Sequence, residues 1–244
     1  MIMNKVNIFF FSGSPSDIYP IQSLLKKLRN VKNINLNIIF HSCHFLKENK
    51  NLLNVFFNFF ENSKIFKIKT FKNRLDNKNL ETKIITSKID KFIKLYISNN
   101  DQIFILGDRL ETLTVAQCAY LNQIKITHFS GGQISEGSFD NVFRYNISNF
   151  SNYHFVTTKK AQIRLEKIPI INKKNIYRIG SCSIDDLYDY LKTCKKKKTS
   201  KKPLTKSPYV FLSLHPEINN KKDFINNIKK MIQKIIDNKI KIIA

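Results

Sequence analysis

The sequence predicts an α/β fold: a Rossmann-like parallel sheet with helices on both faces. Two observations carry that expectation. Short, wholly apolar runs alternate with longer amphipathic stretches, the pattern of repeated βαβ units. The clearest run, Gln102-Ile103-Phe104-Ile105-Leu106, lacks the alternation of a half-exposed strand and reads as buried on both faces.

Taken in order, Val6 to Phe11 is the first strand, and Ser12-Gly13-Ser14-Pro15-Ser16-Asp17 turns the chain. Pro20 suits a helix N-terminus, with Ile21, Leu24, Leu25 and Leu28 as its apolar face. Leu36 to Phe40 is a strand, Asn51 to Phe60 a helix, Ile65 to Ile68 a short strand and Leu80 to Ile97 a longer helix. After the Gln102–Leu106 strand come a helix over Leu110 to Leu121 and a strand over Lys125 to Phe129. A helix through Arg144 and Ile147, a strand at Tyr153 to Val156, a helix from Thr158 and a run from Ile176 to Ile179 follow. The Lys-rich stretch 194–208 reads as a solvated linker. Tyr209 to Leu214, Phe224 to Ile236 and Ile240 to Ile243 then open a second α/β unit. The expected organisation is a domain over 1–193, a linker over 194–208 and the start of a second Rossmann-like domain over 209–244.

Composition narrows the function. The 244 residues carry 42 Lys and Arg against 18 Asp and Glu, a formal charge of +24, which points first to nucleic acid or another anionic partner. Yet only six of the basic residues are arginine, and Lys, Asn, Ile and Phe are inflated together, as an A- and T-rich coding sequence produces. Nucleic acid is therefore the weaker reading, although the field would still favour an anionic substrate. No stretch approaches ~18 uninterrupted apolar residues, so no membrane span is expected. The four cysteines form no CxxC pair, which fits a reducing cytoplasm and argues against a disulfide scaffold or zinc ribbon.

In an open parallel sheet, ligands bind outside the carboxyl ends of the strands. Ser12-Gly13-Ser14 is small enough for its backbone N–H groups to approach a phosphate, or is an ordinary turn. His44 follows the second strand and reads equally as a loop histidine. Asp108 and Arg109 end the most buried strand, where an acid is costly unless paired or functional. Ser130-Gly131-Gly132-Gln133 ends the next one, with glycines that would admit a ligand. Glu136, Asp140 and Arg144 follow at four-residue steps, and Asp140–Arg144 reads either as a site pair or as a surface i,i+4 salt bridge.

These strand-end residues together resemble the hydrolysing UDP-N-acetylglucosamine 2-epimerases, and more narrowly the branch that makes sialic and legionaminic acid precursors. The resemblance rests on SGSPSD at 12–17, GDRLETL at 107–113, GGQISEGSFDNVFRYNIS at 131–148, YHFVTT at 153–158, IGSCSIDDL at 179–187 and LHP at 214–216. It implies a glycosyltransferase-B-like pair of Rossmann-like domains around a UDP-sugar, with no metal and no cofactor. UDP would be eliminated to give a glycal, and water added to release the C2-inverted free sugar. It assigns catalytic parts to Asp108, Asp140, Glu136, Arg144 and His215. It assigns substrate contacts to Ser12, Gly13, Ser14, Asp17, His44, Arg109, Gly131, Gly132 and Gln133. A homodimer, or a separately encoded C-terminal domain, is the partner it implies.

The chain departs from the family pattern at four places. Pro15 stands where the family carries arginine, Ser130 where it carries Glu or His, Gln133 where it carries Glu, and Asn141 where it carries a second acid. The sequence also ends at Ala244, ahead of the family's serine- and glycine-rich nucleotide loop. The expectation is therefore a C-terminally truncated family member with an incomplete second domain. The alternative is a catalytically impaired remnant that binds sugar nucleotides or acts as an interaction module.

Overall fold

The computed structural model describes residues 5–71, 73, 75–197, 208–214 and 221–243. The chain divides into two compact units, Met1–Lys192 and Thr193–Ala244.

The first unit is a parallel sheet of seven strands: β1 (Val6–Ser12), β2 (Ile34–His41), β3 (Lys64–Ile68), β4 (Gln102–Leu106), β5 (Lys125–Phe129), β6 (Tyr153–Val156) and β7 (Ile176–Arg178). The strand order is β3-β2-β1-β4-β5-β6-β7, so the chain starts in the middle, builds outward to β3, then crosses over to β4 and builds the other way. The helices are α1 (Gln22–Arg29), α2 (Lys50–Phe59), α3 (Lys78–Tyr96), α4 (Leu110–Leu121), α5 (Asp140–Phe150), α6 (Lys159–Glu166) and α7 (Cys182–Lys197). Alternate residues of β1 feed opposite cores. Ile8 and Phe10 pack with Leu25 and Phe56, while Phe9 and Phe11 pack with Ile89, Phe92 and Val115. A strand with both faces covered has no polar face to show, which is why these runs are continuous rather than alternating.

The core elements lie where the sequence places them, and β4, α4, β5 and β6 coincide with their expected bounds. Two places differ. Pro20 does not open a helix: it lies in a short 3-10 turn, Tyr19–Ile21, preceded by another at Pro15–Asp17, and α1 starts only at Gln22. Ile21, at φ −125° and ψ 2°, leaves the helical region between the turn and Gln22, so the α-helical ladder begins only after it. The second difference is α7, which the sequence reading left unassigned and which runs through Lys197 into the stretch expected to be linker. Lysine is a good helix former, and a basic composition alone does not end a helix. Residues 198–207 of that stretch lie outside the described residues.

The second unit contains β8 (Tyr209–Phe211), α8 (Lys221–Asp237) and β9 (Lys241–Ile243), with β8 and β9 parallel. Among the described residues no helix is long and apolar enough to cross a membrane.

Candidate active site

The order reversal between β1 and β4 places three strand ends side by side, and a doubly wound sheet binds its ligands at such a switch point. Each end carries polar residues, and they are used in different ways.

Strand β4 ends at Gly107, whose φ of +86° needs a glycine and whose Cβ position is open. Asp108 follows and forms an ion pair with Arg144 from α5. The arginine side chain is only 6% exposed and that of Asp108 24%. The guanidinium also donates to the Gln133 carbonyl (2.8 Å), to Asn141 Oδ1 (3.0 Å) and to Ser135 Oγ (3.4 Å). Its Nε is buried without a hydrogen-bond partner. Arg144 therefore pairs with Asp108, and the surface i,i+4 pair with Asp140 is absent. Asp140 is the first residue of α5 and is exposed. Partial burial and the Asp108 charge raise its carboxyl above the usual range, against the pull of Arg109 and Arg144. Asp108, Asp140, Arg109 and Arg144 thus form one electrostatic cluster.

Asn141 has a use that an acid could not serve. Its Nδ2 donates to the carbonyls of Ser135 (2.7 Å) and Ser138 (3.0 Å), while its Oδ1 accepts from Ser135 N–H (3.0 Å) and from Arg144. A carboxylate cannot donate, so the amide at this position holds the 133–139 loop over the arginine. Glu136 stands exposed in that loop, beside Gly137 at φ +71°.

The turn after β1 is turned inward. The Asp17 Oδ2 accepts the N–H groups of Gly13 (2.8 Å) and Ser14 (2.9 Å), so the two donors expected to approach a phosphate are already occupied. Burial pushes the Asp17 carboxyl up to about 6, although Arg109 and the two N–H groups favour its charge. Ser12 Oγ lies 2.7 Å from His44 Nε2 and donates to the Ser14 carbonyl (3.0 Å). His44, expected on the sugar side of a loop, is instead fully buried edge-on to Phe40 and Phe56, and burial holds its imidazole down to about 3. Arg109 crosses from β4 to lie 3.5 Å from Ser16 Oγ, with Glu111 3.9 Å from its Nε. Burial works against the Arg109 charge, but Glu111 and Asp17 more than offset it and raise its pKa.

At the end of β5, Ser130 has a left-handed φ of +64°, and Gly132 follows at +71°. The expectation that the glycines make room for a ligand is corrected here. A Cβ on Gly131 would stand 2.8 Å from Ser148 Oγ and 2.9 Å from His128 Nδ1, and one on Gly132 would stand 2.4 Å from the Ala161 carbonyl oxygen. Protein atoms fill the space each side chain would need. Gln133 is pinned too, with its Nε2 2.5 Å from Thr157 Oγ1.

The structure therefore gathers Asp108, Arg109, Asp140 and Arg144 at the switch point. It leaves Glu136 on an exposed loop and sets Gly13, Ser14, Asp17, His44, Gly131, Gly132 and Gln133 into the supporting framework. His215 lies outside the described residues. Sequence reasoning passed over Glu111, His41 and His128. Glu111 is buried, contacts the Cys43 thiol (3.2 Å) and stands inside the quoted 107–113 motif. The two histidines sit within strands buried on both faces, and that placement was the available signal.

The sequence profile of UDP-N-acetylglucosamine 2-epimerase matches residues 26–244. The chain belongs to that family. Among epimerase-family relatives, the Campylobacter jejuni GDP/UDP-N,N'-diacetylbacillosamine 2-epimerase (hydrolyzing) is 28% identical over 96% of this chain and 60% of its own length. The Escherichia coli polysialic acid biosynthesis protein P7 is 23% identical over 93% of this chain and 58% of its own. The crystal structure of UDP-GlcNAc 2-epimerase from Neisseria meningitidis bound to UDP-GlcNAc aligns with a TM-score of 0.77. It is 18% identical, over 96% of this chain and 63% of that one. At that identity the likeness establishes the fold, a seven-stranded Rossmann-like sheet of the glycosyltransferase-B-like kind. The epimerase-family chain thus spans about three-fifths of the relatives it matches.

Proposed function

We propose that the switch-point cluster is the proton-transfer side of a hydrolysing 2-epimerase acting on a UDP-2-acetamido sugar. One observation carries the reading: a carboxylate just beyond β4 and an arginine from α5, distant in sequence, form a partly buried ion pair beside a second carboxylate. In the reaction a base takes the proton from C2. The C–H electrons form the C1=C2 double bond, and the C1–O bond breaks with its electrons going to UDP. Water then adds its oxygen to C1 of the glycal, and a proton returns to C2 from the opposite face.

Asp108 Oδ2 is committed to Arg144, while its Oδ1 has no hydrogen-bond partner among the described residues and is available to a proton. Asp140 supplies the second carboxyl, held above the usual carboxylate range by partial burial and the Asp108 charge. Arg109, beside the β1 turn, supplies the cation that Pro15 lacks and would face the departing diphosphate. The product would be a precursor of sialic- or legionaminic-type acids, made in the reducing cytoplasm; the similarity to the Escherichia coli polysialic acid biosynthesis protein P7 supports the sialic acid part of that reading. On this reading the first unit is the acid–base domain and the second unit belongs to the nucleotide-binding domain.

A second reading is favoured by a specific feature: Gln133, an amide bonded to Thr157, stands where the family has an acid. The chain would then bind sugar nucleotide without turning it over. Incubation with UDP-N-acetylglucosamine or UDP-N,N'-diacetylbacillosamine in D2O separates the two. The epimerase reading expects UDP release with deuterium at C2 of the free sugar. Asp108→Asn should lower that rate by about two to four decades. No UDP above blank, from the chain alone or with a supplied second domain, sinks it. A melting shift with UDP-sugar and no product would leave the binding reading.

A further inference from the structure

His128, in the middle of β5, is fully buried and touches neither solvent nor the exposed carboxylate. Its Nε2 lies 2.8 Å from the carbonyl of Gly107, the residue immediately before Asp108. A carbonyl only accepts, so Nε2 carries the proton. Burial keeps the ring neutral, which leaves a lone pair on Nδ1 facing the Ser148 hydroxyl at 3.0 Å. Ser148 sits on α5 one turn beyond Arg144, and its Oγ is also 3.1 Å from the Arg144 carbonyl. The contacts close on themselves: Asp108 follows Gly107, Gly107 bonds His128, His128 accepts the one hydroxyl proton of Ser148, Ser148 is joined to Arg144 by a turn of α5, and the Arg144 guanidinium returns to Asp108. Gly131 independently reflects the same arrangement, because a Cβ there would collide with both His128 Nδ1 and Ser148 Oγ.

We propose that His128 is a positioning residue that sets the end of β4 against α5 and thereby holds Asp108 and Arg144 at their working separation. Its catalytic consequence rests on the epimerase reading above; the geometric part does not. A neutral imidazole suits the task. It is rigid, it spans from a strand-end carbonyl to a helix hydroxyl, and with one donor and one acceptor it satisfies both ends.

The test uses the full chain and two readouts. The buried, unpartnered Nε–H of Arg144 provides an NMR cross-peak that reports the guanidinium's surroundings without substrate. His128→Ala and the milder Ser148→Ala should both displace that peak. His128→Gln, which places an N–H where Nε2 stood, should return it toward the wild-type position. For UDP release, His128→Ala should lower kcat by about 100-fold, the cost of misplacing a reacting group by about 1 Å, with KM within about twofold. His128→Gln should recover about tenfold of that loss. An Arg144 peak unmoved in Ser148→Ala overturns the proposal, as does a folded His128→Ala variant with the wild-type peak. If the wild-type chain releases no UDP, the epimerase reading falls while the Arg144 peak still decides the positioning role.

Discussion

Around the end of β1, the polar groups of the turn find partners within the protein: Asp17 takes two N–H groups, His44 meets Ser12, and Ser16 meets Ser14. Around the ends of β4 and β5, Asp108 and Arg144 hold one another yet, among the described residues, leave Asp108 Oδ1 and Arg144 Nε without partners. The same topological position thus serves two ends. The β1 side spends its turn donors on Asp17 and, among the described residues, leaves only His44 Nδ1 and Arg109 Nε buried without hydrogen-bond partners. The β4–β5 side instead keeps unspent hydrogen-bonding capacity on an ion pair in a partly dry place, where a ligand's charge is felt most.

The comparison breaks first at Asp108. If the β4–β5 side holds a buried charge that depends on one partner, Asp108→Ala should destabilise the first unit by about 3 kcal/mol, because Arg144 is left buried and uncompensated. Urea unfolding measures it, and a loss below about 1 kcal/mol would show that the arginine readily finds water. Next comes Gly132. Substituting alanine at φ +71° against the Ala161 carbonyl should cost about 2–3 kcal/mol, whereas Gly107→Ala, at φ +86° in open space, should cost only about 1–2. Equal losses would remove the distinction between a packed strand end and an open one.

The smallest effect concerns pH. His41, His44, His128 and His154 are buried, and burial holds their imidazoles down to about 4, 3, 3 and 4. Below about pH 6.5 the unfolded chain binds protons at these positions that the native chain refuses, so stability falls as pH drops from 6.5 toward 4. Asp17 works the other way. Its carboxyl, raised from 3.8 to about 6, takes up a proton in the native state first, which adds stability as pH falls through that window. Four histidines outweigh one aspartate, and the urea midpoint should be lower at pH 5 than at pH 7. Asp17→Asn should steepen the fall. Both of its hydrogen bonds end on Oδ2, which an amide oxygen can replace, so at pH 7 the variant should lie within about 1 kcal/mol of wild type. A flat profile would mean that the buried histidines are protonated in the fold.

The β4–α4–β5–β6 stretch was legible residue by residue because apolar runs there are cut cleanly by Gly107, Asn122 and Ser151-Asn152. The start of α1 was not, since a proline can mark either a first helical turn or a separate 3-10 turn. Helix α7 was obscured by lysines, which serve linkers and helices alike. Asp108 and Arg109 stood out because charge at the end of a buried strand is costly without a purpose, and Asp140 and Arg144 stood out by their four-residue spacing. The pairing of Arg144 with Asp108 rather than Asp140 depends on how α5 meets β4. The inward roles of Gly131, Gly132 and His44 could not be read, because they depend on which atoms the neighbouring elements bring to that spot. A sequence marks that glycine is needed without saying whether ligand or protein fills the gap.

The central place of β1 carries a consequence for biosynthesis. Phe10 pairs with Phe104, a residue that leaves the ribosome roughly 90 residues later, or about 5–20 s at ordinary elongation rates. Throughout that interval one edge of a phenylalanine-rich strand lacks its lifelong neighbour and is open to the wrong one. Slowing translation between codons 12 and 102 should therefore lower the folded yield, which expression with synonymous slow codons there would measure.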